Sequence, residues 1–182
     1  TMEYIHGIRP GSRKSVIDAG LDPNIIADRG AAFVLSQVFD HGFFHSDPHP
    51  GNFFLLPDNI LAPLDFGQAT RLSSQDRHLL NDMVLAIVDN EPERIIKALD
   101  RADMIEQATS TTAMLRDTEA ILDRYHGMPL KEIPFGKVIT QTFDLMRQHH
   151  IHPPAQFTLM LKSLMTIESF AVMLNPDFRI ID

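Results

Sequence analysis

Residues 45–52, His-Ser-Asp-Pro-His-Pro-Gly-Asn, bring carboxylate, imidazole and carboxamide side chains into one short segment. Asp47 and Asn52 stand five residues apart, a spacing found in phosphoryl-transfer sites, where the aspartate orients the acceptor and the asparagine holds a metal ion. Asp65 opens an Asp-Phe-Gly segment and stands where a second metal-binding carboxylate is expected. These three side chains predict a site that holds Mg²⁺ and nucleotide phosphates against one reacting centre.

A predicted β-hairpin separates these candidates along the chain. The apolar runs 53–56 and 60–64 are typical of two short strands, and Pro-Asp-Asn at 57–59 supplies the turn between them. Such a hairpin would hold Asn52 and Asp65 side by side at its open end. The pattern therefore predicts one shared site from residues that are distant in sequence.

Helices are predicted for most of the remaining chain. Asp22 followed by Pro23 is a strong helix start, and the helix would end near Gly42. A second start at Ser73 opens a helix whose apolar residues we expect to be buried: Leu79, Leu80, Met83, Val84, Ile87 and Val88. The other predicted helices lie within 11–19, from 91, and near 111–125, 136–149 and 154–174, and a strand is predicted at 2–5.

Composition excludes several classes of protein. The 182 residues show no compositional break, which favours one domain. The formal net charge of -8 argues against nucleic acid as a partner. The absence of cysteine excludes disulfides and thiolate metal sites. We find no targeting segment and expect no transmembrane segment, because no run of about 18 apolar residues is evident.

Histidines raise one alternative chemistry. His45, Asp47 and His49 together resemble a Zn²⁺ or Fe²⁺ site, although the neighbouring prolines lock the backbone and no third imidazole is close in sequence. The histidines at 149, 150 and 152 are interpreted as a solvated helix end, and Phe66 as a core side chain.

Four motifs together resemble the UbiB-type family, the atypical kinase-like proteins tied to ubiquinone biosynthesis. The octapeptide at 45–52 is nearly that family's catalytic-loop signature, with Ser46 where alanine is more usual. The segments 2–7, 42–44 and 65–68 resemble its hinge, the lead-in to its loop and its metal-binding strand end. The similarity covers essentially the whole chain.

The resemblance implies a mainly α fold with a small β-hairpin, the C-lobe of a protein-kinase-like fold whose N-lobe is absent from this chain. It divides the chain into a hinge (1–7), a catalytic loop (45–52), a hairpin with its strand end (53–67) and a helical subdomain (73–174). The chain would then be a fragment of a longer protein that carries the N-lobe upstream.

The same resemblance implies a role for each candidate. Asp47 would be the catalytic aspartate, Asn52 and Asp65 the Mg²⁺ ligands, and His45 a structural brace of the loop. Phe54 would lie under the adenine of ATP. The hinge, whose backbone would hydrogen-bond the adenine edge, would comprise Glu3, Tyr4 and Ile5.

The implied function is an ATP- and Mg²⁺-dependent kinase or ATPase that supports ubiquinone biosynthesis or lipid handling at a membrane. Its partners would be nucleotide and a membrane lipid or quinone precursor, and its place the cytoplasmic side of a membrane or an organellar membrane. Two alternatives stay open. One is a small-molecule phosphotransferase of the aminoglycoside or choline kinase type, and the other is a non-catalytic pseudokinase scaffold that binds lipid or protein.

Overall fold

A computed structural model describes residues 4–106, 109–129 and 132–179 of the chain. The fold is mostly helical, with two small antiparallel sheets. Contacts gather the chain into two compact units, one formed by residues 1–71 with 159–182 and the other by residues 72–158. The helices are α1 (Arg13–Asp18), α2 (Pro23–Ser36), α3 (Ser74–Val88), α4 (Pro92–Arg101), α5 (Thr111–Tyr125), α6 (Phe135–Gln148) and α7 (Ala155–Leu174). The strands are β1 (Phe43–His45), β2 (Phe53–Leu56), β3 (Ile60–Pro63) and β4 (Ala69–Arg71).

Helix α2 confirms its predicted boundaries. The Asp22 carboxylate accepts a hydrogen bond from the Asn24 backbone N–H, and Pro23 occupies the first turn, where its missing N–H costs nothing. After Ser36 the helix widens into a π-helical turn at Gln37–His41 and ends at Gly42, whose φ of 60° reverses the chain. The chain then enters β1 directly, so the helix end sets where the loop begins.

The four strands form two nested ribbons. Strand β1 pairs with β4, and β2 pairs with β3. Two connections therefore run between the ribbons, the loop segment (46–52) and the return segment (64–68). The predicted β2–β3 hairpin is confirmed, but the sequence predicted no strand between Gly67 and the helix start at Ser73. That expectation was wrong, because β4 comes first.

The N-terminal segment pairs with strand β2 at Ile8, outside the strand predicted at 2–5. Residues 1–3 lie outside the described ranges, and residues 4–7 carry no strand. Instead Ile8 pairs with Leu55 of β2, with N···O distances of 3.0 and 2.8 Å in the two directions. The segment therefore lies against the hairpin through a single bridge.

Helix α7 packs on the first unit through one face. Its buried residues recur every three or four positions, at Phe157, Met160, Ser163, Leu164, Ile167, Phe170, Ala171 and Leu174. The ring of Phe170 stacks on that of Phe53, with centroids 5.8 Å apart. The helix predicted near 154–174 is confirmed, and its apolar residues form this buried face.

The same helix is long and apolar enough to cross a membrane by length and composition alone, and 44% of that window is buried. This test alone does not contradict the expectation of no transmembrane segment. A buried core helix meets the same test, and the contacts of α7 are those of a core helix.

The second unit consists of α3 to α6 and leaves an apolar cavity of about 270 Å³ between them. The Ser73–Asp76 capping box that begins α3 is present, as predicted. The predicted buried face of α3 was wrong in part, because Val84, Ile87 and Val88 are exposed. The apolar pattern of α3 identifies the helix but not which of its sides is covered.

His149 is not part of a solvated helix end, which corrects the sequence interpretation. Its side chain is buried and its Nε2 lies 2.9 Å from Asp117 Oδ2. Gln148 donates to the same carboxylate oxygen at 2.9 Å. The pair joins the end of α6 to the middle of α5.

Acid should weaken this unit through Asp117. The hydrogen bond from His149, with help from Arg116, holds the pKa of Asp117 below its ordinary value of 3.8. Because the folded pKa is the lower one, the stabilisation is complete above the unfolded pKa and is lost as the pH falls through the folded value. We expect the urea midpoint of the chain to drop between about pH 5 and about pH 3, and to drop less in Asp117→Asn. An equal drop in both proteins would contradict this role.

Candidate functional site

The loop and return segments are fixed side by side by backbone hydrogen bonds near both ends. Ser46 N–H donates to the Gln68 carbonyl at 2.7 Å, and Leu64 N–H donates to the Asn52 carbonyl, also at 2.7 Å. The second bond sets Asn52 beside the residue that precedes Asp65. The nested ribbons thus bring together the two predicted metal ligands.

A buried histidine links the two segments from below. His45 is 1% exposed; its Nδ1 accepts the Asp47 backbone N–H at 3.1 Å, and its Nε2 lies 3.2 Å from the Leu64 carbonyl. Acceptance at Nδ1 implies that Nε2 carries the proton and donates it to that carbonyl. The imidazole therefore braces the loop, the role that the family resemblance implies for it.

This arrangement counts against the His/Asp transition-metal alternative. Both ring nitrogens of His45 are engaged in hydrogen bonds, and His49 Nδ1 accepts the Gly51 backbone N–H at 3.0 Å. Across the described parts of the chain, no group of three or more His, Asp or Glu side chains is arranged to hold a metal ion.

Asp47 and Asn52 are held together within the loop. The Asn52 carboxamide Nδ2 donates to the Asp47 backbone carbonyl at 3.0 Å. With its nitrogen engaged, the carboxamide offers its oxygen as the atom for a ligand. The Asp47 carboxylate lies 3.5 Å from Lys162 Nζ through Oδ1 and 3.8 Å from His49 Nε2 through Oδ2.

Asp65 adopts a backbone conformation that aspartate tolerates better than most residues. Its φ is 52° and its ψ is 66°, in the left-handed region. Its Oδ1 accepts the Gly67 backbone N–H at 3.2 Å, and the residue is exposed. A left-handed non-glycine residue in a sharp turn is a feature that clusters at functional sites.

An open cleft of about 1090 Å³ lies beside Asp65. Tyr4, Ile5 and Phe54, three of the four predicted nucleotide-binding residues, line it together with Asp65. The fourth, Glu3, lies outside the described residues. Asp47 and Asn52 are not among the lining residues, so the cleft meets the predicted metal site at Asp65.

Gly7 lets the N-terminal segment approach β2 closely. A Cβ at this position would lie 2.9 Å from the Leu55 carbonyl oxygen and 2.9 Å from the Phe54 Cβ. Real side chains do not tolerate such contacts, so the wall of the cleft formed by residues 4–8 depends on glycine here.

Sequence reasoning missed two residues that the fold brings to the loop. Lys162 reaches Asp47 from α7, and the buried Ser163 donates from Oγ to the His45 carbonyl at 2.8 Å. The sequence does not single out this polar pair, because α7 carries a second one, Glu168 and Ser169. The interpretation of Phe66 as a core side chain was wrong, because it is 51% exposed and lies over the His45 ring at 5.6 Å.

The unusual Ser46 has a partner in this fold. Its Oγ lies 2.5 Å from Thr70 Oγ1 of β4. The hydroxyl, which an alanine would lack, therefore adds a side-chain bond between the loop segment and β4, next to the backbone bond from Ser46 to Gln68.

The donor set fits a hard divalent cation. The Asn52 carboxamide oxygen and the Asp65 carboxylate are both oxygen ligands, and Mg²⁺ prefers few protein oxygens completed by phosphate and water. The Leu64–Asn52 backbone bond places the two residues on neighbouring segments. The residues present therefore suit Mg²⁺ better than a metal that selects nitrogen or sulfur.

Two family profiles match this chain. The ABC1 atypical kinase-like domain matches residues 1–99, and the UbiB helical domain matches residues 118–179. The resemblance to the UbiB-type family drawn from the motifs is confirmed.

Curated relatives align with the whole chain at moderate identity. The chloroplastic protein ACTIVITY OF BC1 COMPLEX KINASE 1 of Arabidopsis thaliana is 33% identical over 100% of this chain and 26% of its own length. A protein named probable protein kinase UbiB from Tolumonas auensis is 29% identical over 97% of this chain and 33% of its own length. The chain thus spans about a quarter to a third of these relatives.

A solved structure has the same fold. The Mycobacterium tuberculosis protein Rv3197, solved as a complex with erythromycin, superposes with a TM-score of 0.57 at 16% identity, over 94% of this chain and 44% of that one. At this identity the likeness concerns the fold alone.

Proposed function

We propose that this chain, which belongs to the ABC1 atypical kinase-like family, is the C-lobe of an ATP- and Mg²⁺-dependent kinase-like phosphotransferase or ATPase. The observation that carries the proposal is that backbone bonds hold the segments 46–52 and 64–68 side by side, with Asp65 lining an open cleft. The N-lobe would lie upstream in the parent protein.

The cleft suits a nucleotide base. Its walls are mostly apolar and include Phe54, whose ring is half-buried. In this proposal Phe54 lies under the adenine, while the backbone at Glu3, Tyr4 and Ile5 hydrogen-bonds its edge. The phosphates would then extend toward Asp65, where the cleft meets the metal ligands.

Asn52 and Asp65 would hold Mg²⁺ through their side-chain oxygens. When bound, the ion neutralises phosphate charge and fixes the orientation of the transferred group. Asp47 would accept the proton of the attacking hydroxyl or water and orient it toward the phosphorus. His45 and Asn52 hold the Asp47 backbone from two sides, so its carboxylate is presented from a rigid loop.

The proposal also covers the phosphoryl acceptor and the place of action. The family's tie to ubiquinone biosynthesis and the name of the UbiB relatives favour a role that supports quinone-lipid synthesis at a membrane. The Arabidopsis relative is named chloroplastic, and the proposed place of action is the cytoplasmic side of a membrane or an organellar membrane. The partners would be nucleotide and a membrane lipid or quinone precursor.

The test compares the parent protein with this chain alone. We expect the parent to hydrolyse ATP in a Mg²⁺-dependent reaction, measured with and without vesicles of anionic lipid. The isolated chain should bind nucleotide poorly and turn over little, because the N-lobe groups that contact the phosphates are missing. ATP hydrolysis by the isolated chain that Asp65→Ala abolishes would contradict the need for an N-lobe.

Failure of the parent to hydrolyse ATP would contradict the enzymatic proposal itself. Nucleotide binding without turnover would then favour the scaffold alternative. Phosphorylation of an amino alcohol or aminoglycoside in a panel of acceptors would favour the small-molecule phosphotransferase instead.

A further inference from the structure

The orientation of the Asp47 carboxylate is set by neighbouring side chains and not by the hydrogen bonds of the Asp47 backbone. Its backbone N–H donates to His45, and its backbone carbonyl accepts from Asn52. Neither bond restrains the side-chain torsion angles. Within the described parts of the chain, the groups that contact the carboxylate are Lys162 at 3.5 Å and His49 at 3.8 Å.

The loop supplies no permanent cation for this purpose. Residues 45–52 contain neither lysine nor arginine. Lys162 of α7 supplies an ammonium group 3.5 Å from the carboxylate. The orientation of the Asp47 carboxylate therefore depends on Lys162 of α7, which lies more than 100 residues further along the chain.

The position of Lys162 is fixed by its neighbours on α7. Ser163, the next residue, donates to the His45 carbonyl at 2.8 Å from a fully buried side chain. Two turns further on, Phe170 stacks on Phe53 with an interplanar angle of 7°. The helix is thus bonded to the same loop that carries Asp47.

Stability alone does not account for this contact. The Lys162 side chain is 56% exposed and that of Asp47 is 27% exposed, and exposed ion pairs add little to folding. The geometry assigns Lys162 as a positioning residue that holds the Asp47 carboxylate toward the reacting centre, an inference that rests on the proposed function.

The test uses the parent protein with Lys162→Met and Lys162→Arg. We expect Lys162→Met to lower kcat for Mg²⁺-dependent ATP hydrolysis by about 10- to 100-fold, because misplacement of a catalytic group by 1 Å can cost about 100-fold. The KM for ATP should change by less than about twofold, since a group that orients Asp47 leaves ground-state binding intact. Lys162→Arg should recover most of the lost kcat.

Lys14→Met is the matched control. Lys14 is an exposed lysine of the same unit, paired with Asp18 at 2.7 Å and distant in sequence from the loop. This variant should keep the wild-type kcat. Circular dichroism melts of all variants should agree within a few degrees, since only exposed ion pairs are removed.

A double variant distinguishes an effect of Lys162 that acts through Asp47 from an effect of Lys162 that is independent of Asp47. Lys162→Met added to Asp47→Asn should lower kcat no further, because residues that act as a unit are not additive. An unchanged kcat in Lys162→Met, no recovery in Lys162→Arg, or full additivity with Asp47→Asn would each overturn the inference while the wild-type parent remains active. A wild-type parent without turnover would instead remove the proposed function, and this inference with it.

Discussion

Asp65→Asn in the parent protein should lower Mg²⁺-dependent ATP hydrolysis by at least about 100-fold, the usual cost of removing one charge-stabilising group from such a site. Asparagine tolerates the left-handed backbone that Asp65 adopts at φ 52°. Its side-chain oxygen can also accept the Gly67 N–H that Asp65 accepts. The substitution therefore removes the charge while keeping the turn.

Asp103→Asn is the matched control for this experiment. Asp103 is also an exposed aspartate with a left-handed backbone, at φ 56°, and it lies in the second unit. We expect wild-type hydrolysis from it, measured by phosphate release at saturating Mg²⁺. Equal activity in Asp65→Asn and the wild type would show that Asp65 is not a metal ligand. Equal loss in both variants would point to a fold effect instead.

Phe53→Ala should destabilise the chain by about 3–5 kcal/mol, the usual cost of truncating a fully buried phenylalanine. Its ring stacks on Phe170 and meets Phe33 edge-on at 6.3 Å. The substitution would leave a cavity where α2, β2 and α7 meet, and α7 carries the Lys162 and Ser163 contacts to the loop. The free energy of unfolding from urea titration checks this value.

Phe54→Ala is the neighbouring substitution on the opposite face of β2. Phe54 lines the cleft, and its ring contacts the Arg9 guanidinium at 5.9 Å. We expect a loss of only about 1 kcal/mol in stability but a roughly tenfold weaker affinity of the parent for nucleotide, through lost stacking. The reverse ranking of the two variants would contradict the assignment of the two faces.

Local signals in the sequence predicted the helices well. Asp22 with Pro23, and Ser73 with Asp76, mark helix starts through caps that the structure contains, because a cap is a bond between residues a few positions apart. Strands β1 and β4 went unpredicted, since each has three residues and gains its stability from a partner far along the chain. Such pairing leaves no periodic pattern in so short a segment.

For the candidate site, too, the sequence carried local signals but gave no sign of contacts between residues far apart in the chain. The spacing of Asp47, Asn52 and Asp65 predicted one shared site. The hairpin between Asn52 and Asp65 explains how these two residues come to lie on neighbouring segments. The contact of Lys162 with Asp47 could not be predicted, because it comes from tertiary packing of α7. His149 was misjudged for the same reason, since its partner Asp117 lies on another helix.

The Ser163–His45 bond also sets an order of events during synthesis. The two residues are 118 positions apart. At typical translation rates, Ser163 is therefore synthesised about 6 to 24 s after His45, and α7 cannot cover the loop before then. Until then the apolar faces of α2 and the hairpin lack their cover. The nascent chain should therefore be a client for chaperones over this interval, and ribosome-bound chains that end before α7 should be cleaved readily within the loop segment.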